Sequence, residues 1–189
     1  VRARRALLAG WNQELKDQSE TLGRLRDDER RLQTLIRSVK SDQQDSTASA
    51  SNSSVDSDKT AVQSSEGRCP PVGVIQANFG DSRAGGRWDG LLIGGREGTP
   101  VRAVVGGKVV FADWLRGYGL LMIVEHGDGV MSLYAFNQTL YKHVGDKVEQ
   151  GELISAIGAS GGRSSPGLYF GIREQGHAVD PVAWCNAVH

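Results

Sequence analysis

The 189-residue sequence predicts a mainly β protein: an antiparallel sandwich or partly open barrel over residues 68–189, preceded by a helix and a linker. Three observations predict the β domain. Nearly all of the glycines and all five prolines fall within it. Short β-rich runs recur there, at Pro100–Val105, Lys108–Asp113, Leu120–Glu125, Met131–Ala135, Leu153–Ile157 and Leu168–Arg173. Turn signals separate the runs, at Gly106-Gly107, His126-Gly127-Asp128-Gly129 and Ser160-Gly161-Gly162. No helical period of useful length intervenes, so strands and turns are expected throughout.

Residues 1–40 read as helix. Leu8, Trp11, Leu15, Leu22, Leu25, Leu32, Ile36 and Val39 fall on alternating steps of three and four, with Gln18 and Glu29 in the gaps. This is a heptad seam, and it predicts a coiled coil or hairpin arm. A lone helix of this kind cannot bury its seam, so it needs another helix or a groove on its own domain. Residues 41–67 are expected to be a mobile linker. Nine of these 27 positions are serine and no large apolar residue appears, too little to offset the entropy of ordering.

Composition excludes some classes. Lys and Arg number 22, as do Asp and Glu, so no excess charge points to nucleic acid or an anionic membrane. No apolar run approaches a membrane span. The chain starts without Met and without the apolar core of a signal peptide, so a fragment or processed chain is expected. Cys69 and Cys185 sit just inside the two ends of the β domain. A disulfide between them would clip the domain shut and suit an oxidising compartment such as a periplasm; two unrelated thiols are the alternative.

The β domain carries an ordered series of strings: Gly98-Thr99-Pro100-Val101, Gly107-Lys108-Val109-Val110, Gly117-Tyr118-Gly119, Glu125-His126-Gly127 and Leu133-Tyr134-Ala135. Val144-Gly145-Asp146-Lys147-Val148, Gly151-Glu152-Leu153-Ile154, Gly158-Ala159-Ser160-Gly161 and Val179-Asp180-Pro181 complete it. In their order and spacing, across nearly all of residues 72–184, these resemble the LytM or lysostaphin-type zinc metallopeptidases.

Active members of that family hold zinc through a His-x-x-x-Asp stretch and a later His-x-His pair. The resemblance sets Trp88 and Leu92 at the first two ligand positions, Tyr169 at the last, and Phe136 at the catalytic His position. Trp, Leu and Phe cannot ligate zinc and Tyr is a poor substitute for imidazole, so the resemblance implies a pseudo-enzyme with no cofactor. His126, His143, His177 and His189 lack the spacing of a replacement site.

The same pattern of substitution, with Ala112–Gly119, Met131–Tyr134, Leu168–Phe170 and the order helix, linker, LytM domain, resembles the family's murein hydrolase activators. That resemblance implies a Gram-negative periplasmic protein. Its β domain would bind and activate an N-acetylmuramoyl-L-alanine amidase in septal splitting, and its coiled coil would dock on the FtsEX complex. A peptidoglycan-binding module without activating role, and an endopeptidase with a novel site, remain the alternatives.

Strand alternation then gives the lining of the vacated groove. Tyr169 shares a face with Gly171 and Arg173, and Phe136 with Tyr134. Trp88 and Leu92 line the opposite wall, Leu121 and Ile123 share a central-strand face, and Tyr118 stands at its entrance. The expected partner-binding trough is therefore Trp88, Leu92, Tyr118, Leu121, Tyr134, Phe136 and Tyr169, with Arg173 as a charged anchor and the polar ends of Tyr and Arg near water. Residues 1–40 could occupy that trough and keep the activator off.

Overall fold

The computed structural model describes residue 27 and residues 30–38, 69, 71, 73–83 and 86–188. The expected linker, 41–67, and most of the expected helix 1–40, with Leu8, Trp11, Leu15, Leu22, Leu25 and Val39, lie outside these residues. The described part of α1 is residues 27 and 30–38.

The strands are β1 (Val74–Ala77), β2 (Ser82–Arg83), β3 (Gly86–Arg87), β4 (Leu91–Gly94), β5 (Pro100–Arg102) and β6 (Gly107–Leu115). They continue as β7 (Gly119–Gly127), β8 (Val130–Leu140), β9 (Lys147–Val148), β10 (Leu153–Ile157), β11 (Gly167–Glu174) and β12 (His177–Val179). A short helix, α2 (Pro181–Val188), ends the chain. The mainly β antiparallel architecture is as expected. The expectation of strands and turns alone is corrected at α2, where Asp180 caps the helix by accepting from Val182 N at 2.9 Å and Pro181 occupies the first turn.

The main sheet runs β1-β4-β11-β8-β7-β6-β9, with β12 beside β11, and β10 joining β8 to β5. Period-2 alternation sorts its side chains onto two faces. Leu91, Ile93, Met122, Val124, Tyr134, Leu168, Phe170 and Ile172 form one core with Val101 of β5, Ile154 and Ile157 of β10, and Cys185 of α2. Leu92, Leu121, Ile123, Leu133, Ala135 and Tyr169 form a second cluster on the opposite face. Cys69 and Cys185 are joined by a disulfide across a sequence separation of 116, tying the start of the domain to α2.

One irregularity shapes the site. Along β7 and β8, Met122 pairs with Tyr134 but Leu120 pairs with Asn137, so β8 carries an extra residue. That bulge centres on Phe136, whose φ of 66° turns the chain there. Wholly buried Asn137 repairs the disrupted ladder: its Nδ2 donates to Leu120 O at 2.9 Å and Tyr134 O at 2.7 Å. Its Oδ1 accepts from Ser155 Oγ at 2.8 Å. After the bend β8 leaves β11, and from Asn137, which pairs with both Leu120 of β7 and Ile157 of β10, it continues along β10.

Candidate functional site

The second face of the sheet holds the site. Sheet register places Tyr169 opposite Leu92 on one side and opposite Ala135 on the other, so residues far apart in sequence meet on adjacent strands. Tyr169 is wholly buried at the centre of a ring of aromatics. Tyr118 packs edge-on against it with centroids 5.4 Å apart, Phe136 likewise at 6.2 Å, and Trp88 tilts against it at 6.3 Å. Such tilted and edge contacts match the preferred arrangements of aromatic rings. The bulge brings Phe136 into this ring, and Phe136 N donates to Tyr118 O at 2.9 Å, which ties the bend to the β6–β7 turn. Two glycines leave room for Tyr169: a Cβ on Gly171 would stand 2.9 Å from its hydroxyl, and one on Gly90 would stand 2.9 Å from its ring.

Helix α1 lies on this face. Leu32 is fully buried and Ile36 is 4% exposed, and both belong to the same cluster as Tyr169, Phe136, Tyr118, Leu92, Leu121 and Ile123. Leu35 packs against the cluster from its edge. Leu32, Leu35 and Ile36 stand at i, i+3 and i+4, the spacing that puts three side chains on one stripe of a helix.

Trp88, Leu92, Tyr118, Leu121, Phe136, Tyr169 and Arg173 thus all belong to, or abut, this face. Tyr134 does not, which corrects the expectation that it accompanies Phe136. Alternation holds from Leu133 to Ala135, so Tyr134 faces the other way; the bulge then returns Phe136 to the face of Ala135. On its own side Tyr134 packs against Phe170 at 5.5 Å, and its hydroxyl accepts from Val104 N at 3.1 Å and Ser132 Oγ at 3.2 Å. Burial pushes this phenol up to about 12, with the hydrogen bonds from Ser132 and Val104 opposing.

The polar ends of Tyr169 and Arg173 are not near water either. Arg173 is 5% exposed and, like Tyr169, turns to Asp89, a residue the sequence reading passed over. Tyr169 Oη donates to Asp89 Oδ1 at 2.8 Å, and Arg173 Nη2 donates to Asp89 Oδ2 in an ion pair. Burial raises the Tyr169 phenol well above its ordinary value, and the Asp89 carboxylate and Tyr118 add to this against the opposing Arg173. For Arg173 burial works against the charge, but Tyr169, Asp89 and Tyr118 outweigh it and the guanidinium is held more firmly protonated. Arg173 Nε has no hydrogen-bond partner among the described residues. Asp89's position directly after Trp88, in the stretch aligned with the ligand motif, was the available signal.

These residues do not fit a zinc ion. The one oxygen among the four positions, Tyr169 Oη, is bonded to Asp89, and the nearby carboxylate is held by Arg173. No group of three or more His, Cys, Asp or Glu side chains among the described residues could hold a metal ion.

An antiparallel sheet of this topology, with one closed core and one aromatic face, has the architecture of a LytM-type domain. The sequence pattern of Peptidase family M23 matches residues 86–181, and the chain belongs to that family. Murein hydrolase activator EnvC of Escherichia coli K12 is 48% identical over 116 residues, which are 61% of this chain and 28% of EnvC. Murein hydrolase activator NlpD of Salmonella dublin is 36% identical over 139 residues, 73% of this chain and 36% of NlpD. The chain thus spans only about a third of these curated relatives. Among solved structures, the catalytic domain of lysostaphin from Staphylococcus simulans superposes with a TM-score of 0.53 at 28% identity, covering 60% of this chain and 90% of that one. A zinc-containing peptidase from Vibrio cholerae shares the fold, with a TM-score of 0.57 at 23% identity over 61% of this chain and 39% of that one.

Proposed function

We propose that this chain activates a peptidoglycan hydrolase by docking on it and does not itself cut the wall. The observation that carries the reading is the helix seated on the aromatic face: Leu32 and Ile36 of α1 pack in one cluster with Leu92, Tyr118, Phe136 and Tyr169. A face that accepts one apolar helical stripe has the shape and chemistry for another. The names of EnvC and NlpD, murein hydrolase activators, support the same class of function. The side chains at the former ligand and catalytic positions, Trp88, Leu92, Phe136 and Tyr169, offer three aromatic anchors and a leucine in place of metal chemistry.

In its finer form the partner is an N-acetylmuramoyl-L-alanine amidase, and α1 holds the activator off by occupying its docking face. The amidase would be switched by differential affinity for two of its own states, as any activator requires. The remainder of residues 1–40 would receive the releasing signal, from the FtsEX complex. The setting is the Gram-negative periplasm, which the Cys69–Cys185 disulfide suits.

The test is release of dye from labelled sacculi by this chain carrying Leu32→Ala and Ile36→Ala, which free the face of α1, by a purified amidase alone and by the mixture. Release by the mixture well above the sum of the two supports the reading. Chelator-sensitive release by the chain alone overturns it.

A further inference from the structure

At the mouth of the aromatic face two arginines converge. The Arg83 guanidinium lies over the Trp88 ring at 4.4 Å from its centroid, and that of Arg163 lies over Phe136 at 4.9 Å. Trp88 and Phe136 each pack on the central Tyr169, at 6.3 and 6.2 Å, so the two cations overhang the same site. Arg163 is half-buried, and among the described residues its Nε–H donates to Ser165 O at 3.2 Å. Burial, and then the nearby charge of Arg83, holds its guanidinium below the ordinary arginine range. Neither arginine is ion-paired among the described residues.

Two like charges gathered at a groove rim without a carboxylate repel each other and carry a desolvation cost. A guanidinium placed over an aromatic ring keeps N–H donors that can grip a carboxylate. The described part of the present occupant pairs neither arginine. The described part of α1 carries Arg30, Arg31 and Arg37, and its one described acid, Asp27, lies 4.0 Å from Arg30 of the same helix. The described part of the resident helix therefore satisfies the apolar floor of the groove and leaves its charged rim unpaired.

We infer that Arg83 and Arg163 form an acid-recognition subsite, and that the helix admitted in place of α1 carries Glu or Asp beside its apolar stripe. The inference rests on the docking reading above and names the chemistry of the partner. It also accounts for exchange. Both helices offer an apolar stripe to the same floor, and an incoming helix that pairs the rim gains over the described part of α1, which leaves it unpaired.

The experiment uses the full chain carrying Leu32→Ala and Ile36→Ala, which weakens α1. The probes are two synthetic amphipathic helical peptides with one shared Leu/Ile stripe, flanked by Glu in one and by Lys in the other. A purified amidase, titrated against the same protein, is the third probe. The expected result is binding of the Glu peptide about tenfold tighter at low salt, shrinking as salt screens the pair. That preference should disappear in Arg83→Gln/Arg163→Gln and persist in Arg83→Lys/Arg163→Lys, with unchanged thermal melting showing that each variant is folded. Amidase binding that is indifferent to the Gln pair, or peptides bound equally, overturns the inference and leaves the docking reading standing. Failure of the amidase and both peptides to bind overturns both.

Discussion

The first prediction concerns the two side chains that seat α1. Truncating Leu32 and Ile36 to Ala removes most of their apolar contact with the aromatic face while leaving a strong helix former at both positions. Leu32 is 0% and Ile36 4% exposed, so both are transferred almost completely from water when α1 docks. Full burial of a Leu or Ile side chain stabilises by about 1.5–3 kcal/mol, most of which the change to Ala forfeits. Together the two substitutions should weaken docking by roughly 2–5 kcal/mol, or about 30-fold to several thousandfold in the closed-to-open ratio. The entropy of ordering α1 is common to both proteins and cancels in the comparison.

Two assays read the shift. Arg30, Arg31 and Arg37 are exposed on α1, so trypsin should cleave there faster in the variant, because cleavage follows the population of the undocked helix. Apparent affinity for the amidase should rise at least tenfold, since a masked site binds in proportion to its open fraction. Faster cleavage of α1 with no gain in amidase affinity would refute the reasoning, because the helix would then be shown to leave a face that nothing else needs.

Other predictions follow from the interior. Asp89→Asn leaves Arg173 buried with no counter-charge and should cost about 3–5 kcal/mol in urea unfolding. Adding Arg173→Met should recover much of that loss; a double variant as unstable as Asp89→Asn would show that the pair is not coupled. Opening the Cys69–Cys185 bridge, which spans 116 residues, should destabilise the domain by about 5 kcal/mol in the chain-entropy model, read as a lower melting temperature in reductant. His126 places Nδ1 2.9 Å from Gly106 O and Nε2 2.8 Å from Ser132 Oγ, and burial holds its pKa below the ordinary value, against Gly106 and Glu125. The unfolded chain then binds the proton first, near pH 6.5, so stability present above that pH should fall as pH drops through it. His126→Gln should flatten that part of the profile, and an unchanged slope would count against the assignment.

Much of this architecture was legible in the residues, for reasons that also explain the failures. The strand at Leu153–Ile157 was read with its observed bounds, and the other five runs correspond to strands that mostly extend a few residues further. Alternating apolar residues between glycine turns leave little choice there. The edge strands β1, β2, β3, β9 and β12 span only two to four residues each, too short for any period to show. Helix α2 announced itself only through Asp180-Pro181, a cap and first-turn pair that no longer apolar stripe followed.

Within the site, alternation was sufficient up to Ala135 and failed at Phe136. A non-glycine residue at φ 66° cannot be foreseen from its type, and it set Phe136 on the face of Ala135 while Tyr134 stayed on the other. Arg173 and Tyr169 were assigned to the right face but given water for a partner. Their true partner, Asp89, lies 84 and 80 residues away in sequence, a pairing that only the register of β4 against β11 brings about.

The most direct measurement places a photo-crosslinking benzoylphenylalanine at Phe136, beside Tyr169 and in the same cluster as Leu32 and Ile36. In the free chain the crosslink should form within the protein, to α1. On adding the amidase under conditions where sacculi are split, it should pass to a helical segment of the amidase. A crosslink that stays on α1 while the amidase is fully stimulated would contradict the account, since activation would then proceed without the face that α1 covers.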